Sequence, residues 1–252
     1  MNAYIYIPVW GNLNDLKYCI QSIKLNTTHP FYTINLIDDG NPKDIAKQLS
    51  QHGRVIKNPE NTGFTHSCNE ARQDFFSTAH KDDVFILLNS DTLPQKDWLT
   101  ELIKAKDKYS DTGIFASLTL GTKNKFYGGT RNPLNKNKGL IPLDKMVKTG
   151  KLADFKGNKV NPWAEFAAVL ISYQCLKKCG AFNEKLIYYG SDAEYCYRAN
   201  KKGFKTKYIS ASHVKHKKHS SLKQLNWKQR LQLIADLKML KILLRKYYFL
   251  HM

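Results

Sequence analysis

Carboxylates gather where the apolar runs of this chain stop. Val84, Phe85, Ile86, Leu87 and Leu88 run without interruption into Asn89-Ser90-Asp91-Thr92, and Thr33 to Ile37 runs into Asp38-Asp39-Gly40-Asn41-Pro42. A short apolar run of this kind reads as a strand buried on both faces, and in open α/β sheets ligands sit beyond the carboxyl ends of such strands. Asp91 is therefore a candidate for holding a metal ion or a phosphate, because hard cations take carboxylate oxygens as ligands. The adjacent pair Asp38 and Asp39 reaches an equivalent strand end, and Gly40 turns the chain there. Asp91 has a plainer reading too, as a loop cap beside Thr92 and Pro94, and position alone leaves both open. Asp192 and Glu194 open another predicted helix, where acids serve as ordinary N-terminal caps. His213, His216 and His219 follow a predicted strand, Thr206 to Ile209. Joined to Cys175 and Cys179 they would make a zinc site, although both cysteines fall on a predicted helix with apolar neighbours.

The elements that must position these residues can be read in order. Tyr4 to Val9 is a strand rich in aromatic and β-branched residues, followed by a helix from Asn12-Leu13-Asn14-Asp15 that spaces Leu16, Ile20 and Ile23 on one face. After the strand Thr33 to Ile37 comes a strand Arg54 to Lys57, a turn over Asn58-Pro59-Glu60-Asn61-Thr62-Gly63, a helix over His66 to Thr78, and the strand at Val84. This alternation predicts an α/β chain with a mostly parallel, Rossmann-like sheet and right-handed crossovers. From Ser117 to Asn161 the pattern changes to Lys, Asn and Gly, which reads as loop. Residues 121 to 160 hold ten Lys or Arg against two Asp, suited either to an acidic acceptor or to solvent. Tyr173 to Cys179 reads as a short helix stopped by Gly180.

Composition narrows the function classes. The 252 residues are 42% hydrophobic, enough for a real core, and carry a formal net charge of +19. That excess favours anionic partners: nucleic acid, anionic lipid head groups or acidic glycans. No run is long enough to span a bilayer and Met1 to Val9 opens directly into a strand, so the expected location is the cytoplasm. Five scattered cysteines are expected to stay reduced. There is no Walker sequence and no Gly-x-Gly-x-x-Gly after a strand, which removes support from nucleoside triphosphatase and dinucleotide-binding readings.

Four segments in this order carry a resemblance: Tyr6-Ile7-Pro8-Val9-Trp10-Gly11-Asn12, Leu36-Ile37-Asp38-Asp39-Gly40, Asn61-Thr62-Gly63-Phe64 with Asn69 behind it, and Leu88-Asn89-Ser90-Asp91-Thr92. Together they resemble glycosyltransferase family 2, inverting nucleotide-sugar transferases of GT-A type fold. The resemblance implies Pro8, Trp10, Asp38 and Asp39 around the base and ribose of a UDP-sugar donor, with Asn61, Gly63, Asn69 and Ser90 beside them. It implies Asp91 on a Mg²⁺ or Mn²⁺ ion at the donor diphosphate, although Asn89 replaces the first carboxylate of a full Asp-x-Asp. The second half matches as well, in Gly180-Ala181-Phe182-Asn183-Glu184 and Gly190-Ser191-Asp192-Ala193-Glu194 with Arg198 and Gly203. By position Asp192 corresponds to the family's catalytic base, with Glu194 as fallback, and Ser191 and Glu194 depart from the commonest residues. A histidine near this point completes the family's metal site; His216 fits the spacing and His219 is the reserve.

The tail reads as a helix, with Leu233, Leu237, Leu240 and Leu244 at spacings of three and four. Residues 201 to 252 hold fourteen Lys or Arg and a single acid, Asp236. Lys241, Arg245 and Lys246 beside Tyr247, Tyr248 and Phe249 would suit the inner face of an anionic membrane, and a core-packing helix with a basic outer face fits the same pattern. The resulting expectation is a transferase domain over 1–220 with a basic amphipathic extension over 221–252. It would move a sugar to a hydroxyl of a cell-surface glycan or lipid-linked oligosaccharide. A basic nucleic-acid-binding protein and an inactive nucleotide-sugar-binding fold are the alternatives.

Overall fold

The computed structural model describes residues 1–121, 125–130, 134–135, 139–140, 147–151, 158–217 and 226–249. β1 (Ala3–Val9) runs through its centre with the two-residue alternation of a strand covered on both faces. Ile5, Ile7 and Val9 enter one core and Tyr6 the other. α1 (Leu13–Asn26) follows, capped by Asn12, whose Oδ1 accepts from the Asp15 N–H at 3.2 Å. Then come β2 (Tyr32–Asp39), α2 (Lys43–Leu49), β3 (Arg54–Asn58), α3 (Phe64–Thr78) and β4 (Val84–Leu88), the last buried at every position. β3, β2, β1 and β4 lie side by side and are all parallel.

β5 (Thr92–Pro94), α4 (Trp98–Lys108) and β6 (Thr112–Leu120) lead into the Lys- and Asn-rich stretch. Its described parts are strands rather than the predicted loop: β7 (Lys125–Thr130), β8 (Leu134–Asn135) paired with β9 (Gly139–Leu140), β10 (Val147–Lys151) and β11 (Lys159–Asn161). Backbone pairing makes these strands, because β7 is held between β6 and β10 although its own composition is poor in β-branched residues. β12 (Ala168–Ser172) then inserts between β4 and β6, antiparallel to both.

α5 (Tyr173–Cys179) ends at Gly180 as predicted, and α6 (Ser191–Lys201) starts after Gly190, which has φ +86°. β13 (Lys205–His216) is longer than the expected strand. It pairs parallel with β6, shifts register between Ile209 and His213, and continues antiparallel to β5. His213 and His216 therefore lie on the strand and not after it. α7 (Trp227–Phe249) closes the described chain. The sheet order is β10-β7-β6-β12-β4-β1-β2-β3, with β13 joining β6, β5 and β11. α1, α2 and α4 pack on one face, and α3, α5, α6 and α7 on the other.

The tail helix belongs to the second of these layers. Leu240 and Leu244 are buried in the core that contains Phe75, Phe85, Tyr195 and Cys196, while Leu231 and Ile234 face solvent. Among the described residues no helix is long and apolar enough to cross a membrane. Cys175 and Cys179 are reduced and buried with their sulfurs 3.8 Å apart, and no group of three or more His, Cys, Asp or Glu gathers as a metal cluster among the described residues.

Candidate active site

The carboxyl ends of β1, β2 and β4 open onto a cavity of about 290 Å³, near the lower end of the roughly 300–1,000 Å³ usual for small-molecule sites. Pro8, Val9 and Trp10 come from β1 and the turn after it, Asp39 from β2, and Asn89, Ser90 and Asp91 from the end of β4. The second half of the chain reaches the same place by pairing. Because β12 runs antiparallel to β4, residues 163–167 meet 89–91, and the Asn89 N–H donates to the Ala167 carbonyl at 2.9 Å. Trp163, Glu165 and Phe166 thereby become wall residues. β13 pairs His216 with Thr92, which sets His216 Nε2 2.9 Å from Asp91 Oδ1.

Asp39 shapes the wall as well as lining it. One oxygen accepts from the Thr62 N–H at 2.9 Å and Thr62 Oγ1 at 2.8 Å, and the other from the Gly63 N–H at 3.1 Å. Gly63 has φ +92°, and a Cβ there would lie 2.5 Å from Ile187 Cγ2, so the turn needs glycine on both counts. Tyr188 closes over this turn, its Oη 3.1 Å from Asn61 Oδ1.

Asp192 also lines the cavity, at the start of α6. Burial pushes its carboxyl up to about 7; the Ala193 N–H, donating at 2.7 Å, opposes that rise, and the charge of Glu165 adds to it. A helix N-terminus favours the charged form, but here desolvation outweighs the backbone donors. Burial, followed by the charge of Asp192, also raises the neighbouring Tyr189 phenol, which stays a neutral hydroxyl at physiological pH.

Three expected site residues do not face the cavity. Asp38 Oδ1 accepts from the Asn41 N–H at 3.0 Å and from Asn41 Nδ2 at 2.7 Å, since alternation along β2 sends only Asp39 inward. Asn69 bridges α3 to the turn before α6, accepting from the Phe182 N–H at 2.7 Å and donating to Glu184 at 2.7 Å. Glu194, two residues beyond Asp192 on a helix, points away and is paired with Arg198 at 3.0 Å. His219 lies outside the described residues. Pro8, Trp10, Asn61, Gly63, Ser90, Asp91, Asp192 and His216 all line the cavity.

Sequence reading passed over Asp15 and Glu165. Asp15 looked like a helix-start acid, yet it lines the cavity, paired with Lys217. Glu165 lies in an otherwise apolar stretch, where its signal is that it is the lone acid between Trp163 and Tyr173.

The sequence model of glycosyl transferase family 2 matches residues 4–159, more than half of the chain. The chain belongs to glycosyl transferase family 2. No curated protein sequence matches it significantly. Among solved structures, one of GalNAc-T7 with UDP, GalNAc and Mn²⁺ superposes with a TM-score of 0.66 at 16% identity, over 85% of this chain and 43% of that one. S. aureus TarS 1-349 in complex with UDP-GlcNAc superposes with a TM-score of 0.60 at 11% identity, over 90% of this chain and 62% of that one. The chain thus spans less than half the length of the GalNAc-T7 structure, and the likeness to both is one of fold.

A divalent cation is implied by the family and is testable on the donor atoms. Asp91 Oδ1 and His216 Nε2 converge to 2.9 Å. Two adjacent donors on an octahedral ion with bonds of about 2.0–2.1 Å lie about 2.9 Å apart, so the pair fits Mg²⁺ or a similar ion. His216 Nδ1 is buried with no partner among the described residues, so no hydrogen bond there opposes a small ring adjustment.

Glu194 is 1% exposed and its partner Arg198 18%, so Glu194→Gln leaves a largely buried guanidinium without its carboxylate. Glu194→Gln is expected to lower stability by about 3–5 kcal/mol in chemical denaturation while leaving ligand affinity at the cavity unchanged. A stable variant with weakened binding would return Glu194 to the site.

Proposed function

We propose that the cavity binds a UDP-sugar and that the protein transfers the sugar, with inversion, to a hydroxyl of a glycan or lipid-linked acceptor. The observation that carries this reading is Asp192, a cavity-wall carboxyl poised at about 7, in the same cavity as the Asp91–His216 donor pair. The solved structures of like fold add support, one holding UDP and Mn²⁺ and another UDP-GlcNAc. Pro8, Trp10, Asp39, Asn61 and Gly63 would hold the nucleoside, with Ser90 beside the diphosphate. Asp91 and His216 would hold Mg²⁺ or Mn²⁺, which when bound neutralises charge on the departing diphosphate.

The transfer is a single displacement. Ionised Asp192 accepts the proton of the acceptor hydroxyl, that oxygen bonds to the anomeric carbon, and the bond from that carbon to the diphosphate oxygen breaks, its electron pair leaving with UDP. Attack opposite the leaving group inverts the anomeric centre. Glu165 keeps the base from being too weak, because its charge raises the affinity of Asp192 for the proton it must take. Trp163 and Phe166 give the acceptor side an apolar surface.

The outer face of α7 supports peripheral membrane contact. Trp227, Leu231, Ile234 and Ile242 are 67%, 57%, 51% and 60% exposed. With exposed Lys238 and Arg245 they follow helical steps of three and four along one side, an apolar stripe among cations that suits anionic head groups. The nucleic-acid alternative has no comparable feature.

Four outcomes are expected. Asp91→Asn should weaken UDP binding in Mn²⁺ by at least about tenfold in calorimetry and leave metal-free binding nearly unaltered; equal metal-dependent affinity would remove Asp91 from the site. Transfer rate should rise with pH through about 7 as Asp192 ionises, since protonated Asp192 cannot serve as base. Asp192→Asn should cut the rate by about 10²- to 10⁴-fold and abolish that pH limb without altering UDP affinity, and retained anomeric configuration would overturn the mechanism. Vesicles containing phosphatidylserine should co-sediment the full chain, less so with added salt, and Trp227→Glu with Ile234→Glu should release it. Unchanged sedimentation of that folded variant would sink the membrane face.

A further inference from the structure

Asp236 is the single acid between residues 201 and 252, and it is fully buried. It belongs to α7, yet its main partners lie across the fold. The backbone N–H groups of Ile187, Tyr188 and Tyr189 donate to its carboxylate at 3.2, 2.6 and 2.9 Å, and Gln232 Nε2 adds a fourth bond at 2.9 Å. Three successive amides turned onto one anion form a backbone nest, usually a place for a bound ligand anion. Here a side chain of the same protein fills it. The segment has no regular secondary structure, so these partly buried amides have no helix or sheet partner to meet them.

That segment connects both halves of the site. On the donor side, the Thr65 N–H donates to the Ile187 carbonyl at 3.1 Å and Tyr188 Oη meets Asn61. On the other side, Tyr189 and Gly190 line the cavity and lead directly into Ser191 and Asp192. α7 grips it at two further points. Gln229 Nε2 reaches Tyr188 Oη at 3.4 Å, and Leu240 fills the space above Gly190, where an added Cβ would lie 2.8 Å from its Cδ2.

We propose that Asp236 is a positioning residue: through it α7 holds the 187–190 segment in place, so the tail helix is a working part of the active site. The proposal rests on the reading of the cavity as a UDP-sugar site with Asp192 as base. Asp236 touches no substrate and acts through the backbone it holds. Charge and shape agree with this role. A lone carboxylate inside a strongly basic tail contributes nothing to the attraction of anions, but it is the group that three converging N–H donors require.

Amide hydrogen exchange on the full chain, without ligand, tests the clamp. In the unaltered protein the amides of Ile187, Tyr188 and Tyr189 should exchange about 100-fold or more slower than exposed loop amides, despite lying outside helix and strand. Asp236→Asn keeps the volume but turns an N–H₂ group toward three donors. It should raise exchange at these three amides by about 10- to 100-fold while Val84 to Leu88 keep their protection, a local change that a general loss of stability would not produce. UDP affinity in Mn²⁺ should fall by about tenfold in the same variant, whereas Asp192→Asn should leave both exchange and UDP affinity unchanged. Fast exchange at 187–189 in the unaltered chain, a result that needs no variant to fold, would overturn the proposal. So would unaltered exchange in Asp236→Asn. Because exchange needs no ligand, failure of the unaltered chain to bind UDP would count against the proposed function and leave the clamp standing.

Discussion

Five residues, Ala168 to Ser172, run antiparallel to Leu88 to Val84, and that pairing decides the direction from which the second half of the chain reaches the cavity. A parallel strand at this place would have carried residues 163–167 to the far edge of the sheet. Running antiparallel, β12 starts at the cavity and brings Trp163, Glu165 and Phe166 beside Asn89 and Asp91. β13 depends on the same arrangement. It is parallel to β6, slips register between Ile209 and His213, and then pairs with β5, which closes the Asp91–His216 contact. The slip is held by buried hydroxyls, with Ser212 Oγ donating to the Trp98 carbonyl at 2.8 Å and lying 2.7 Å from Ser117 Oγ.

The electrostatics of the molecule are divided. The chain carries +19, yet the described wall of the cavity contains five carboxylate residues, Asp15, Asp39, Asp91, Glu165 and Asp192, and no Lys or Arg. Two of the five are committed to structure: Asp39 to the Thr62–Gly63 turn and Asp15 to Lys217. A wall of that sign repels an anion unless a cation or a proton offsets part of its charge. Of the other three, Asp91 meets His216 Nε2 at 2.9 Å. The same crowding explains why Asp192 keeps its proton up to about 7: desolvation raises it first, and Glu165 adds to the rise.

Local pattern made the parallel half of the sheet readable. Val84 to Leu88, Thr33 to Ile37 and Tyr4 to Val9 are apolar runs whose ends line the cavity, and each is a strand at the expected place. The edge strands were not readable, because β7 and β10 are strands by backbone pairing with a neighbour and not by their own side-chain pattern. Side-chain direction at the site also resisted reading. Asp38 and Asp39 are equally acidic, and only the phase of β2 tells which one turns inward. Asp192 and Glu194 sit two apart on a helix, so facing the cavity with one sends the other to Arg198. Glu165 needed tertiary knowledge, since its apolar neighbours describe a core strand until the pairing of β12 puts its first residues at the rim.

The tail shows how one pattern can satisfy two demands. Its apolar spacing fitted both a packing helix and a surface helix, and the fold uses the two sides differently. Leu240 and Leu244 enter the core while Trp227, Leu231, Ile234 and Ile242 stay outside. A helix lying loosely on the domain would need only the apolar contacts. The buried Asp236 is harder to account for in that way, because a carboxylate removed from water is costly unless its oxygens are satisfied. Satisfaction comes from three amides of a segment that has no other regular pairing. Each side therefore supplies what the other lacks: the helix has an acid that must be bonded, and the segment has donors that must be met. That mutual requirement ties α7 to the segment before α6 through one buried carboxylate that meets three backbone amides.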